Sequence, residues 1–151
     1  MTTLRAYAPL TLPQLAAAWP DPQIPLAYAP DAAGRALSGD DLEEAEWLAL
    51  SAAAEHAARE AAAGGRLRAV LAVDVTGAQE TALGAGLVAV APAEASEIAI
   101  VSAHLDEPGL AARLGRGQEA DAQALSEAAL LWYDPSELRD VLDGLPQDLL
   151  D

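Results

Sequence analysis

Two periods of apolar residues run through the chain, one near 3.6 and one near 2, and together they predict its elements. The longest stretch with helical spacing is Ser38 to Gly65, SGDDLEEAEWLALSAAAEHAAREAAAGG. Ala, Leu and Glu, the strongest helix formers, fill its interior without Pro or Gly. Acids crowd its first turns, where the positive end of a helix dipole favours them. Ser38 with Asp41 three residues on is an acidic variant of the capping box, and Gly64-Gly65 is a left-handed stop. A helix from about Gly39 to Ala63 follows. At about 100° per residue, Leu42, Ala45, Ala49, Ala52 and His56 form one apolar stripe. Trp47, Leu50, Ala54 and Ala61 form a second, rotated well away. Two stripes imply a helix covered on both sides, by its own sheet and by another helix or a second subunit.

Around this helix the pattern predicts shorter elements. Leu4 to Tyr7 alternates as a strand that Pro9 ends, and Thr11-Leu-Pro-Gln14 caps a helix to about Trp19. Ile24 to Ala29 reads as an edge-like strand because of Pro25. Arg68 to Val75, RAVLAVDV, is β-branched and nearly all apolar, a strand buried on both faces. Thr76 to Gly86 reads as a Gly-rich connection, followed by a strand at Leu87 to Ala91. One helical turn at Pro92 to Ser96 and a strand at Glu97 to His104 come next. A helical region begins at Pro108, breaks at Gly115 and Gly117, and resumes over about Gln118 to Ala128. Leu130 to Tyr133 is a last short strand, and Asp134-Pro-Ser-Glu137 caps a final helix to about Asp143. The early strand-helix-strand-helix-strand order implies parallel, right-handed crossovers. The fold class is therefore α/β (α+β): a single domain over residues 1–145, a mixed sheet of five or six strands packed by one long and several short helices, and a short tail at 146–151.

A chain of 151 residues can bury roughly two-thirds of its unfolded surface in one core. Cys is absent, which excludes thiol nucleophiles, thiolate metal sites and disulfides. The start MTTLRAYAPLTLPQL has no basic region followed by an apolar run, and no long uninterrupted apolar stretch is present, so a cytoplasmic protein is expected. The net charge is −16, and every basic residue is Arg. Lys, Phe and Asn are missing, which codon pressure in a high-GC genome explains better than physical selection. An acidic body repels phosphate backbones and anionic lipid, disfavouring direct nucleic-acid or membrane binding. It would attract a basic partner.

RAYAPLT, DDLEEAEWLALSAAA, RAVLAVDV and LLWYDPSEL stand in this order along the chain. Together they resemble an uncharacterised family of small acidic Ala-rich proteins from high-GC bacteria, chiefly actinobacteria. The resemblance implies a single compact α/β domain and no particular activity, cofactor or catalytic residue.

Few residues suggest chemistry. His104-Leu-Asp106-Glu107 clusters polar ligands at a strand end, a pattern that helix capping also produces. Asp74, near the carboxyl end of the strongest strand, stands where open sheets place ligands. Asp74, His104, Asp106 and Glu107 are thus the ligand-binding candidates; no catalytic residue, metal or cofactor is assigned. Ser102, two residues before His104, shares its side of the strand, without a Gly-x-Ser-x-Gly elbow. His56, mid-helix, reads as a structural histidine. Gly84-Ala-Gly86 precedes a strand and so lacks the context of a dinucleotide loop. Trp47, Leu50, Ala54, Trp132 and Tyr133 are the interface candidates, with alternation sending Trp132 and Tyr133 to opposite faces. The leading expectation is a non-catalytic interaction or regulatory module that self-associates as a homodimer. The alternatives are a small enzyme or ligand-binding domain near Asp74, His104 and Asp106, and an acidic decoy for a basic nucleic-acid-binding protein.

Overall fold

A computed structural model describes residues 2–151. Its centre is one seven-stranded sheet in the order β4-β5-β2-β1-β3-β6-β7, with every neighbouring pair antiparallel. The strands are β1 Thr3–Thr11, β2 Ala27–Pro30, β3 Arg68–Thr76, β4 Gln79–Gly84, β5 Leu87–Ala91, β6 Glu97–Asp106 and β7 Leu130–Tyr133. The helices are α1 Leu12–Ala18, α2 Ala32–Arg35, α3 Gly39–Ala63, α4 Gln118–Glu127, α5 Pro135–Asp143 and α6 Gln147–Leu150, with a 3₁₀ segment at Pro108–Arg113. The expected α+β class holds, with two corrections.

The sheet has seven strands rather than five or six, because the presumed Gly-rich connection contains β4. Gln79–Gly84 carries too few apolar residues to read as a strand, and all six are exposed. Its pairing comes from the turn: Ala85 and Gly86 have φ of 56° and 81°, the left-handed pair that matches the twist of a two-residue hairpin. The parallel crossovers are also overturned. β2 and β3 do run in the same direction across the α3 connection, but β1 lies between them, antiparallel to both. Periodicity specifies elements, whereas the insertion of β1 depends on side-chain fit between distant segments. β1 is also longer than expected and continues through Pro9, which lies beyond the Tyr7–Tyr28 register contact with β2. There a missing N–H costs the sheet little.

The two sheet faces have different tenants. Leu4, Ala6, Ala8 and Leu10 of β1 and Ala69, Leu71, Val73 and Val75 of β3 share a core with Leu12 and Leu15 of the α1 region and Leu138 and Leu142 of α5. The opposite face, with Tyr7, Val70 and Ala72, receives Ala49, Ala53 and Ala57 of α3. This all-alanine line lets the helix backbone approach the sheet closely, at the expense of buried apolar area. α3 has the expected bounds. Ser38 makes no side-chain capping bond, so the acidic capping box does not form. Its far end is a Schellman stop: Arg66 N–H donates to Ala61 O at 2.8 Å and Gly65 N–H to Ala62 O at 3.3 Å, with Gly65 at φ 66°. The capping boxes at Thr11–Gln14 and Asp134–Glu137 are both present. The segment expected as a tail carries α6, which packs against α1.

Candidate functional site

The second stripe of α3 has two fates. Its C-terminal member, Ala61, is buried with the neighbouring Ala58 and Ala62 in one core cluster with Leu125 of α4. α4 ends at Glu127, and the N-terminal part of the stripe is left as the wall of a cleft. Trp47, Leu50 and Ala54 line this cleft of about 420 Å³, facing Leu130 and Trp132 of β7, with Arg68 and His104 also contributing to its lining. Trp47 is 62% exposed and Trp132 68% exposed. Bare indoles at this exposure are uncommon on a surface that serves only for solubility.

The base of the cleft is polar and buried. β6 turns Ser102, His104 and Asp106 toward the α3 side of the sheet, because Ala103 and Leu105 fill the opposite core. A bulge at Val101, opposite the Ala72/Val73 step of β3, sets this phase. His104 is fully buried and lies edge-on to the Trp132 ring, with centroids 4.1 Å apart and planes at 67°. Its Nε2 is 2.9 Å from Ser102 Oγ. Its Nδ1 has no partner, the single such buried side-chain atom among the described residues. Burial pushes the imidazole pKa down from 6.5 to about 4, so the ring is neutral near pH 7.

Beside it, Arg68 and Asp106 form a buried ion pair. Arg68 Nη2 donates to Asp106 Oδ1 at 2.8 Å, and the Arg68 backbone N–H donates to Oδ2 at 2.7 Å. Nη2 also donates to Ala128 O at 3.0 Å and Nη1 to Ala54 O at 3.4 Å. One guanidinium thus joins β3, β6, α3 and the segment leaving α4. Without Phe to fill the interior, Arg68 and His104 rank among the largest fully buried side chains. The sequence signal for this pair was weak: Arg68 was visible as the first residue of the strongest strand, but its partner lies across the sheet.

The structure separates the ligand-binding candidates. Asp74 lies four residues along β3 from Val70, the register partner of His104, about 13 Å away at 3.3 Å per residue. It accepts from Arg5 Nε at 2.7 Å on the partly exposed surface, and that bond raises the Arg5 pKa. Asp106 is bound to Arg68, and Glu107 is exposed at the entry to the 3₁₀ segment. Of the four, only His104 borders the cleft, beneath its surface. Among the described residues, no group of three or more His, Asp or Glu side chains could hold a metal ion. Of the interface candidates, Trp47, Leu50, Ala54 and Trp132 meet at the cleft, whereas Tyr133 packs against the opposite core.

A second cavity of about 480 Å³ touches His56 and Glu60. There Tyr28 Oη and His56 Nδ1 are 2.8 Å apart, and His56 Nε2 lies 3.0 Å from Glu60 Oε1. Both ring nitrogens are satisfied, in keeping with a structural histidine. No helix among the described residues is long and apolar enough to cross a membrane.

The model described as "Family of unknown function (DUF6912)" matches residues 4–142, and the chain belongs to that family. Comparison with curated proteins and with solved structures finds no match.

Proposed function

We propose that this member of a family without an established function is a non-catalytic binding module whose working surface is the cleft between α3 and β7. The carrying observation is that Trp47 and Trp132, each more than 60% exposed, come from distant parts of the chain to line one cleft beside a buried imidazole whose Nδ1 has no partner. Aromatic side chains that converge on one cleft are the kind of anchor recognition surfaces use. A catalytic reading is less well supported. Ser102 and His104 form a hydroxyl–imidazole pair, but Nδ1 lacks the carboxylate that orients a catalytic base. A pKa near 4 also makes the ring a weak base near neutrality. The test is a side-by-side affinity capture with the wild-type chain and a Trp47→Ala/Trp132→Ala double variant of unchanged circular dichroism. Partners held by the wild type should be lost from the variant. An unchanged set would rule out the cleft as the working surface.

Self-association is a second reading, favoured by the outer edge of β7. That strand ends the sheet and carries Leu131 and Trp132, 41% and 68% exposed, so a second copy could extend the ladder there. Sedimentation at two concentrations tests it, and a strict monomer at the higher one eliminates it.

A further inference from the structure

The charges around the cleft say more about its occupant. From Ser38 to Ala58 the chain holds Asp40, Asp41, Glu43, Glu44, Glu46 and Glu55 and not one Arg or Lys. At about 100° per residue, Asp40, Glu43 and Glu44 fall within about 60° of Trp47 on the helix surface, and Glu55 lines the cleft itself. The one cation in the floor, Arg68, is matched by Asp106 at 2.8 Å, so the floor contributes no net positive charge. A second copy of the chain would bring its own α3 acids against these, a like-charge contact. An anionic or phosphorylated ligand meets the same repulsion.

His104 supplies an independent pointer. Its Nε2 lies 2.9 Å from Ser102 Oγ, and in the tautomer protonated at Nε2 the ring keeps a lone pair on Nδ1, buried and without a partner. A buried acceptor of this kind calls for a donor. The requirements combine: a donor for Nδ1, a cation for the acidic rim, and a flat group for the indoles. A guanidinium meets all three, since it is planar, stacks on aromatic rings and is weakly hydrated for an ion.

Resting on the reading of the cleft as a binding surface, we propose that its occupant is an arginine side chain presented by a basic segment of a partner protein. The guanidinium packs against Trp132 and Trp47, lies within the field of Glu55, and donates to His104 Nδ1 once a shift of the Trp132 ring packed on the imidazole opens that buried atom to it.

The experiment titrates the full chain with a nine-residue peptide alternating arginine and glycine, and follows tryptophan fluorescence and calorimetry. Lysine–glycine and glutamate–glycine peptides of equal length, and arginine amide alone, are the comparisons. The arginine peptide should bind best, and Trp47→Ala and Trp132→Ala should each weaken it by about tenfold. His104→Phe, which keeps a ring against Trp132 but removes the acceptor, should weaken it by roughly five- to tenfold. Equal binding of lysine and arginine peptides by wild type and variants would reduce the effect to diffuse charge and overturn the proposal. Binding of arginine amide as tight as the peptide would overturn the protein source. If the glutamate peptide, or a second copy seen by sedimentation, is lost with the tryptophans, the cleft binds but the cation assignment fails. If the tryptophan variants change neither peptide binding nor captured partners, both readings fail.

Discussion

At the residue scale, the buried polar groups beside the cleft govern stability. Arg68 and Asp106 are 2% and 0% exposed at their side chains. Removing one partner of such a pair strands the other in a medium that solvates it poorly. Arg68→Ala is therefore expected to destabilise the fold by about 3–5 kcal/mol, read as a fall in the urea midpoint. Replacing both, as Arg68→Met with Asp106→Leu, should recover most of that loss. His104 adds a pH dependence. Its folded pKa is about 4 against 6.5 for the free group, so between those values the unfolded chain holds a proton that the folded chain refuses. This contribution is complete above pH 6.5 and declines as pH falls toward 4, by on the order of 3 kcal/mol in all. The fall in urea midpoint from pH 7.5 to pH 4.5 should be smaller in His104→Phe than in the wild type. Equal falls would place the imidazole in water. Tyr7 is held up to about 12, first by burial and then by Glu46, to which its hydroxyl donates at 3.2 Å.

At the element scale, α3 joins the two halves of the molecule. Its bounds and its Gly stop were legible in the sequence because each rests on local spacing, whereas the sheet-facing line is Ala49, Ala53 and Ala57 and shares only Ala49 with the expected first stripe. Which part of the second stripe stays open was not legible, because that depends on where α4 ends against it. The two fates separate by substitution. Trp47→Arg lies on an exposed site and should change stability by less than about 0.5 kcal/mol, whereas Ala53→Leu, fully buried against the sheet, should cost about 1–3 kcal/mol by overpacking. Thermal melts of the two variants decide this, and a large loss in Trp47→Arg would move the indole into the core. At the stop, Gly65→Ala forces a side chain into φ 66° and should cost about 1 kcal/mol.

Over the whole molecule, a net charge of −16 acts as self-repulsion that compactness must overcome. Screening shortens its range, from a Debye length of about 30 Å at 0.01 M salt to about 10 Å at 0.1 M. The melting temperature should therefore rise with added sodium chloride over this range. A flat response would mean that the carboxylates are spaced too widely to interact. The same repulsion disfavours any homodimer that sets α3 against α3. The sheet itself shows where local reading stops. β4 is held by its hairpin and not by its own hydrophobicity, and β1 lies between two strands that sequence order alone would have paired.

Composition and spacing alone determined the bounds of α3, the capping boxes at Thr11 and Asp134, the excess of acid and the burial of β3, since each depends on residues within one or two turns of one another. They also sent Trp132 and Tyr133 to opposite faces, because strand alternation needs no partner. Only the tertiary structure decided the strand order, the separation of Asp74 from His104, the pairing of Arg68 with Asp106 and the meeting of Trp47 with Trp132. Those depend on contacts between segments far apart in the chain, where the energy lies in fit and desolvation and leaves no periodic trace in the sequence.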